Sequence, residues 1–478
     1  MNRKGWFIRF LILGAIATIL IIKAYLLVYV LLFVGIYSFL STLLLFSIFV
    51  LSYFKYRDPF NKAKDLVLSS SDHLPLVSIV VAVKNEEENI RNCVQSCINS
   101  TYQNREIIIV NDGSTDRTTE ILKQMQLENG SKLQVIHLPK NLGKKQAIEH
   151  ATKIAKGEIY AFMDSDCDMH SDAVEKAVKI FLSDKNIGAL ATYARVRDVY
   201  KGTLLEKMQD VWADGQFRLL KGMESSYNSV TCCSGSLSFF RRQAIQQFMY
   251  EWAHDRFLGL ENFKYATDRR LTAHVLGTEN TSIVNISSQT NSYNKNNTQL
   301  LQNVRTSNEN IGDSASLDQY ANSSSKIERQ NYWKVVYSFS VRVNMGVPKT
   351  FRALILQQVR WRKSFIRSIF ATGKIYWRRP FIAALLYYLS IAMKLVRPFI
   401  VIFSLFAMPL LGDYLTPVFY FSGILFVGMI YAVDFKLANP TNDLWIYRPL
   451  MTLLSTFVYV WLIFYAVLTI KKKTKWRD

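Results

Sequence analysis

Residues 6–54 are almost continuously apolar. A bilayer core takes about 20 apolar residues per helix, so this run predicts two membrane spans, roughly 6–27 and 30–54. The run is too long for the hydrophobic core of a secretory leader, and a second span follows the first at once. Both flanks are basic, with Arg3 and Lys4 before the run and Lys55, Arg57, Lys62 and Lys64 after it. Positive charge favours the cytosolic side, so the hairpin predicts that the following segment, as far as residue 380, is cytosolic. Whatever that segment folds into is tethered to a membrane at its start.

The other end of the chain is also apolar, in blocks near 381–411, 414–434 and 446–470, before a basic tail at 471–477. Three spans would leave that tail outside, against its charge preference. An extra span or a re-entrant turn is therefore expected, with Lys394, Arg397 and Pro398 as candidates for the break. Between residues 341 and 379 stand ten Lys/Arg and no Asp/Glu. That stretch reads as an interfacial helix against anionic headgroups of membrane lipids, and it would also attract a negatively charged small molecule. The net charge of +21 thus gathers at a membrane face. No nucleic-acid module is recognisable, and no nucleic-acid partner is expected. The expected division is a hairpin at 1–56, a cytosolic domain at 57–340, interfacial helices at 341–379 and a membrane region with a cytosolic tail at 380–478.

Residues 279–330 are rich in Asn, Ser, Gln and Thr. Such a composition buries too little apolar surface to offset the entropy of ordering, so it reads as a mobile insertion. Its Asn-x-Ser/Thr triplets, at Asn280 and Asn285, arise from composition. The five cysteines, at 93, 97, 167, 232 and 233, lack the spacing of a disulfide framework or a zinc knuckle. Free thiols are expected in a cytosolic setting.

The central segment alternates strands and helices. Residues 76–83 are a β-branched apolar run suited to a buried parallel strand. Asn85 with Glu88 reads as a capping box for the next helix, on which Ile90, Cys93, Val94, Cys97 and Ile98 share one face. Strands at 106–110, 133–138 and 158–163 follow, separated by helices after Ser114 and over 142–156. This alternation predicts an α/β domain with a parallel-sheet core. Ligands of open α/β sheets bind at the carboxyl ends of strands, which is where Asp112 and Asp164 fall.

Five groups of residues can carry chemistry. Asp112, before Gly113-Ser114, can accept from a nucleobase N–H or a ribose hydroxyl, or simply form an Asp-Gly turn. Lys144 can pair with a diphosphate or lie solvated, and Gly143-Lys144 lacks the frame of a P-loop. Asp164-Ser165-Asp166 puts two carboxylates at i and i+2 behind a buried strand. They can hold a hard cation with diphosphate oxygens, or form an acidic loop with Asp168 and Asp172. Asp268 can be a general base or a helix N-cap. Finally, Gln357, Arg360 and Trp361 share a helical face. There a guanidinium fork can take phosphate and an indole can support a sugar ring, or the pair can mark a membrane interface.

The ordered set resembles the family 2 processive glycosyltransferases, the cellulose, chitin and hyaluronan synthases. It covers the chain apart from residues 279–330. The strings most similar to hyaluronan synthases are Cys232-Cys233-Ser234-Gly235, Phe257-Leu258-Gly259, Asp268-Arg269-Arg270-Leu271-Thr272, Gln357-Gln358-Val359-Arg360-Trp361 and Lys475-Trp476-Arg477. The resemblance implies a GT-A fold between transmembrane segments, in a multi-pass plasma-membrane enzyme. It implies inverting transfer from UDP-GlcNAc, with UDP-GlcA, onto a growing β-linked polysaccharide. Asp112 and Lys144 would hold UDP, Asp164 and Asp166 the donor with Mg²⁺ or Mn²⁺, and Asp268 would be the base. Cys232, Ser234 and Gly235 would border the acceptor, and Trp361 would lie under its sugar. Gln357 and Arg360 would reach acceptor and diphosphate, and Trp476 and Arg477 would close over the nucleotide. The chain departs from the family at Thr267 (usually acidic), at Ser236 (usually Pro) and in lacking Gly-Thr within the tail motif. A chitin-like or poly-GlcNAc polymer, or a lipid-carrier acceptor, are the alternative products. An inactive membrane scaffold is the alternative from another class.

Overall fold

The computed structural model describes residues 3–26, 32–68, 73–280 and 332–472. The insertion expected at 279–330 lies outside the described residues, except for its first two positions.

Among the described residues eight strands form one sheet: β1 (Val77–Val83), β2 (Arg105–Asn111), β3 (Leu133–His137), β4 (Ile159–Asp164), β5 (Cys167–Met169), β6 (Ile187–Val196), β7 (Ser238–Arg241) and β8 (Lys334–Met345). Their order is β3-β2-β1-β4-β7-β6-β8-β5. The half made of β3, β2, β1 and β4 is parallel, as the alternation predicts. The other half is mixed: β7 runs antiparallel to both β4 and β6, while β8 is parallel to β6. The expected parallel core is thus one half of a larger mixed sheet. The antiparallel β7 follows a long excursion through the helices Leu204–Asp214 and Lys221–Ser225, a return path that no local pattern announces. Strand β8 also carries the sheet past the boundary drawn at 340.

The apolar runs become strands because both faces are covered. Val77, Ile79, Val80, Val81, Ile108, Ile109 and Val110 are buried, and Ile90, Cys93, Val94 and Cys97 pack on them from the helix Ile90–Ile98. That helix does not begin at Asn85. Asn85 has φ +50°, and its side chain accepts from the backbone N–H of Thr115 at 2.9 Å. It is used to join two loops rather than to cap, and the helix starts five residues later.

Among the described residues, four helices are long and apolar enough to cross a membrane: Gly5–Tyr25, Phe33–Ala63, Phe381–Leu410 and Leu415–Ala438. A fifth span results if Leu444–Phe457 and Leu462–Leu468, bent by 44°, are taken together. The break is thus not at Lys394, Arg397 or Pro398. The helix Phe381–Ile402 continues through Pro398, and the bend falls at residues 458–461. The guanidinium of Arg397 donates to Thr456 Oγ1 at 2.5 Å, which ties the two helical segments together.

Candidate active site

The parallel strands end level with one another. Ala82 of β1 is opposite Val110 of β2 and Asp164 of β4, so Asp112 and Asp164 share the carboxyl edge of the sheet. The Asp112-Gly113 turn lies so close to the 140–141 backbone that a Cβ at Gly113 would stand 2.8 Å from Asn141 N. Gly113 also has φ +64°, so glycine is needed there twice over. The Asp112 carboxylate accepts the backbone N–H groups of Leu142 (2.6 Å) and Gly143 (2.9 Å). It therefore anchors the loop that delivers Lys144, and a carboxylate still has acceptor sites to spare. Burial pushes the Asp112 carboxyl up, against those two N–H groups.

Lys144 opens the helix Lys144–Ile154, and its ammonium is ion-paired with Asp164. Burial lowers its proton affinity. The charges of Asp164, Asp268 and Asp166 outweigh burial and hold it above the ordinary lysine range. Its first partner is thus a carboxylate of the Asp164-Ser165-Asp166 motif. Asp168, from the same acidic stretch, is paired with Arg197, and Asp172 with Lys176. These two belong to the scaffold.

Gly235 brings the rest together. Its carbonyl accepts from Asp164 N at 2.8 Å, and its N–H donates to Asp268 Oδ2 at 2.9 Å. A Cβ there would lie 2.8 Å from Asp164 Oδ2 and 2.9 Å from Lys144 Nζ. Asp268 is not an N-cap: the helix Thr267–Gly277 already includes it, and Ala266 precedes it at φ +61°. Burial raises the proton affinity of Asp268, and Lys144 works in the opposite direction. Ser234 Oγ accepts from Lys221 Nζ at 3.0 Å. Burial pushes the Cys232 thiol up, which makes it a neutral wall group rather than a nucleophile.

Two adjoining cavities frame these residues. One, of about 940 Å³, is lined by Asp112, Lys144, Asp164, Asp166 and Arg360. The other, of about 490 Å³, is lined by Cys232, Ser234, Asp268, Arg360 and Trp361. Lys264, Tyr265 and Arg360 line both. Of the residues expected from the motifs, Asp112, Lys144, Asp164 and Asp166 thereby fall in one chamber and Cys232, Ser234 and Trp361 in the other, and the two meet at Arg360. Gln357 lines neither. Its neighbour Gln358 lines the smaller cavity, so the helix Phe351–Thr372 turns a different glutamine inward than expected. Trp476 and Arg477 lie outside the described residues. The chain just before them, at Ile470, Lys471 and Lys472, borders the larger cavity. Lys363 Nζ donates to the Lys472 carbonyl there at 3.0 Å.

Trp212 was missed. Its ring stacks with Trp361 at 5.7 Å between centroids and 17° between planes, and both line the smaller cavity. Trp212 sits on the amphipathic helix Leu204–Asp214, and only contact reveals its partner. The smaller cavity also continues past the catalytic edge, to Ser390, Lys394, Arg397 and Ile463 of the apolar helices. The charges that interrupt the first apolar block face this cavity, as charges within spans generally do.

Residues 78–249 match the family model described as Glycosyl transferase family 2. The poly-beta-1,6-N-acetyl-D-glucosamine synthase of Staphylococcus epidermidis is 28% identical over 205 residues, which is 42% of this chain and 48% of that protein. The enzyme of the same name from Staphylococcus aureus (strain COL) is 28% identical over 199 residues, 42% and 46% of the two chains. This chain spans about half the length of these relatives. Among solved structures, the mannosyltransferase PcManGT from Pyrobaculum calidifontis, in complex with GDP-Man and Mn²⁺, aligns at a TM-score of 0.54. The identity is 16%, over 92% of this chain and 100% of that one. The chain therefore carries a family 2 glycosyltransferase domain at residues 78–249, on the GT-A fold.

Proposed function

We propose that the protein extends a β-linked N-acetylglucosamine polymer from UDP-GlcNAc and feeds the product into its own membrane helices. The observation that carries this reading is the smaller cavity. It runs without interruption from Asp268 and Trp361 to Lys394, Arg397 and Ile463. A transferase that releases a soluble product has no use for an acceptor chamber walled by membrane helices. The relatives named as poly-β-1,6-GlcNAc synthases support a homopolymer better than they support hyaluronan.

In this reading the larger cavity takes the nucleotide sugar, with Asp112 and its loop against the nucleoside and Lys144 and Arg360 against the diphosphate. Asp164 and Asp166 would hold Mg²⁺ or Mn²⁺. Among the described residues no group of three or more His, Cys, Asp or Glu is gathered for a metal. Two carboxylates fit a hard cation whose shell is completed by substrate phosphates. When bound, the cation neutralises charge on the departing UDP. Asp268 takes the proton of the acceptor hydroxyl as that oxygen attacks the anomeric carbon, and Trp361 on Trp212 supports the acceptor ring. The orientation follows from the basic flanks, with the catalytic domain on the cytosolic side of the plasma membrane. Trp476 and Arg477 would close over the nucleotide.

One observation favours hyaluronan as a second reading. Arg269, Arg362, Lys394 and Arg397 all line the smaller cavity, whose only acidic lining groups among the described residues are Glu224 and Asp268. A chain bearing uronate groups from UDP-GlcA would meet that charge. Purified protein given UDP-GlcNAc, UDP-GlcA or both, with hyaluronidase treatment of the product, separates the two. Turnover with UDP-GlcNAc alone supports the homopolymer, and a requirement for both donors with a digestible product supports hyaluronan. Turnover with neither donor sinks the proposal.

A further inference from the structure

Asp255 is 4% exposed and lies outside every motif described above. Its carboxylate is the meeting point of three cations on three different helices. Arg367 grips it with two N–H groups, at 2.7 and 3.3 Å. Lys145 Nζ is at 3.2 Å, and Arg270 Nε is at 3.7 Å. Each of these cations is a short step along its helix from a site residue. Lys145 follows Lys144, Arg270 is two residues after Asp268, and Arg367 is two turns after Arg360 on the same helical face.

The backbone of the same residue closes a loop, and Lys145 braces it. Phe263 N–H donates to the Asp255 carbonyl at 2.7 Å, and Lys145 Nζ donates to the Phe263 carbonyl at 2.9 Å. Lys264 and Tyr265, which follow this loop directly, line both cavities. Arg367 and Lys145 hold the Asp255 carboxyl below the ordinary range despite its burial, and burial pushes Lys145 down to about 8. A buried carboxylate so held is ionised at neutral pH, and removing it strands three cations in a dry setting.

We infer that Asp255 is a positioning residue. Through one bidentate and two single ion pairs, it sets the spacing between the helix that presents Lys144, the helix that presents Asp268 and the helix that presents Arg360 and Trp361. This rests on the transferase reading, since it assigns the register of that site. The expectation is that its loss spreads the two cavities apart at the Lys264–Tyr265 wall. A misplacement of about 1 Å is enough to cost on the order of 100-fold in rate.

The test compares wild type, Asp255→Asn, Arg367→Lys and the double variant Asp255→Asn/Lys145→Gln. The readouts are thermal midpoint, UDP affinity from tryptophan fluorescence, and kcat and KM for UDP-GlcNAc. Asp255→Asn is expected to raise KM and lower kcat, each about tenfold or more, in protein that remains folded. The double variant, with one cation removed, is expected to recover part of both. If Asp255→Asn does not fold, Arg367→Lys, which keeps the charge but loses the fork, carries the test in the same direction. A lowered midpoint with unchanged KM, kcat and UDP affinity would mean that the cluster is only structural and would overturn the inference. Wild type that turns over while the variants match it sinks the positioning role alone. Wild type that neither turns over nor binds UDP sinks the transferase reading and this inference with it.

Discussion

The backbone N–H of Gly235 donates to Asp268 Oδ2 at 2.9 Å, while the Gly235 carbonyl accepts from Asp164 N at 2.8 Å. The backbone of one residue therefore links the carboxylate of the proposed base to the main chain of the proposed donor aspartate. Gly235→Ala would place a methyl group 2.8 Å from Asp164 Oδ2. The side chains can give way only by moving Asp164 or Lys144. Turnover should fall about 100-fold with the thermal midpoint little changed, measured by UDP release and differential scanning fluorimetry.

Asp268→Asn removes the proton acceptor and keeps the shape. Turnover should drop by about 10²–10⁴-fold while UDP-sugar binding persists, as isothermal titration would report. The wild-type pH profile adds a check. Burial raises the proton affinity of Asp268, and only the ionised form accepts a proton. Activity should therefore fall as pH drops through a value above the ordinary carboxylate range, and the acid limb should disappear in Asp268→Asn.

Asp166→Ala leaves Asp164 paired to Lys144 but halves the carboxylate pair. The affinity for a UDP-sugar should then lose its response to Mg²⁺ or Mn²⁺. Titrations with and without the metal would show it.

Trp361 rests on Trp212, with 17° between the ring planes. Trp212→Ala should leave donor binding intact and shorten the product, because the stacked support for the acceptor is lost. Product sizing on a gel measures this, and unchanged chain length would remove Trp212 from the acceptor site.

Arg218 is shared by Asp214, at 2.8 Å, and Asp434. Tyr53 donates to Asp434 at 2.5 Å, and Tyr193 of β6 donates to Asp214 at 2.7 Å. This buried network links the first hairpin, the helix Leu415–Ala438 and the sheet. Asp434→Ala leaves Arg218 half-compensated and should cost about 3–5 kcal/mol, read as a lower unfolding midpoint in detergent.

The donor half of the site was legible in the sequence because it is local. A short apolar run ending in Asp112 or in Asp164-Ser165-Asp166 states both the strand and the edge at which its ligand sits. The same locality misled at Asn85, where the spacing to Glu88 imitates a capping box. There the side chain reaches across to Thr115, thirty residues on. What pattern could not supply was contact. Nothing in the sequence near Trp212 indicates Trp361, and Asp255 carries no signal of its three cations. The turn of the helix that brings Gln358 rather than Gln357 to the cavity depends on what packs beside it. The bend at 458–461 contains neither Gly nor Pro, so the break was sought at Pro398, where the helix in fact continues.

The most direct measurement is UDP release by detergent-purified protein given UDP-GlcNAc and Mn²⁺, followed over time and matched to the size of the sugar product. Predicted is sustained release, many UDP per protein molecule, with a high-mass β-linked product that is absent for Asp268→Asn. Release that stops after a single sugar, or a product confined to a lipid or a short saccharide, would contradict polymer synthesis at this site.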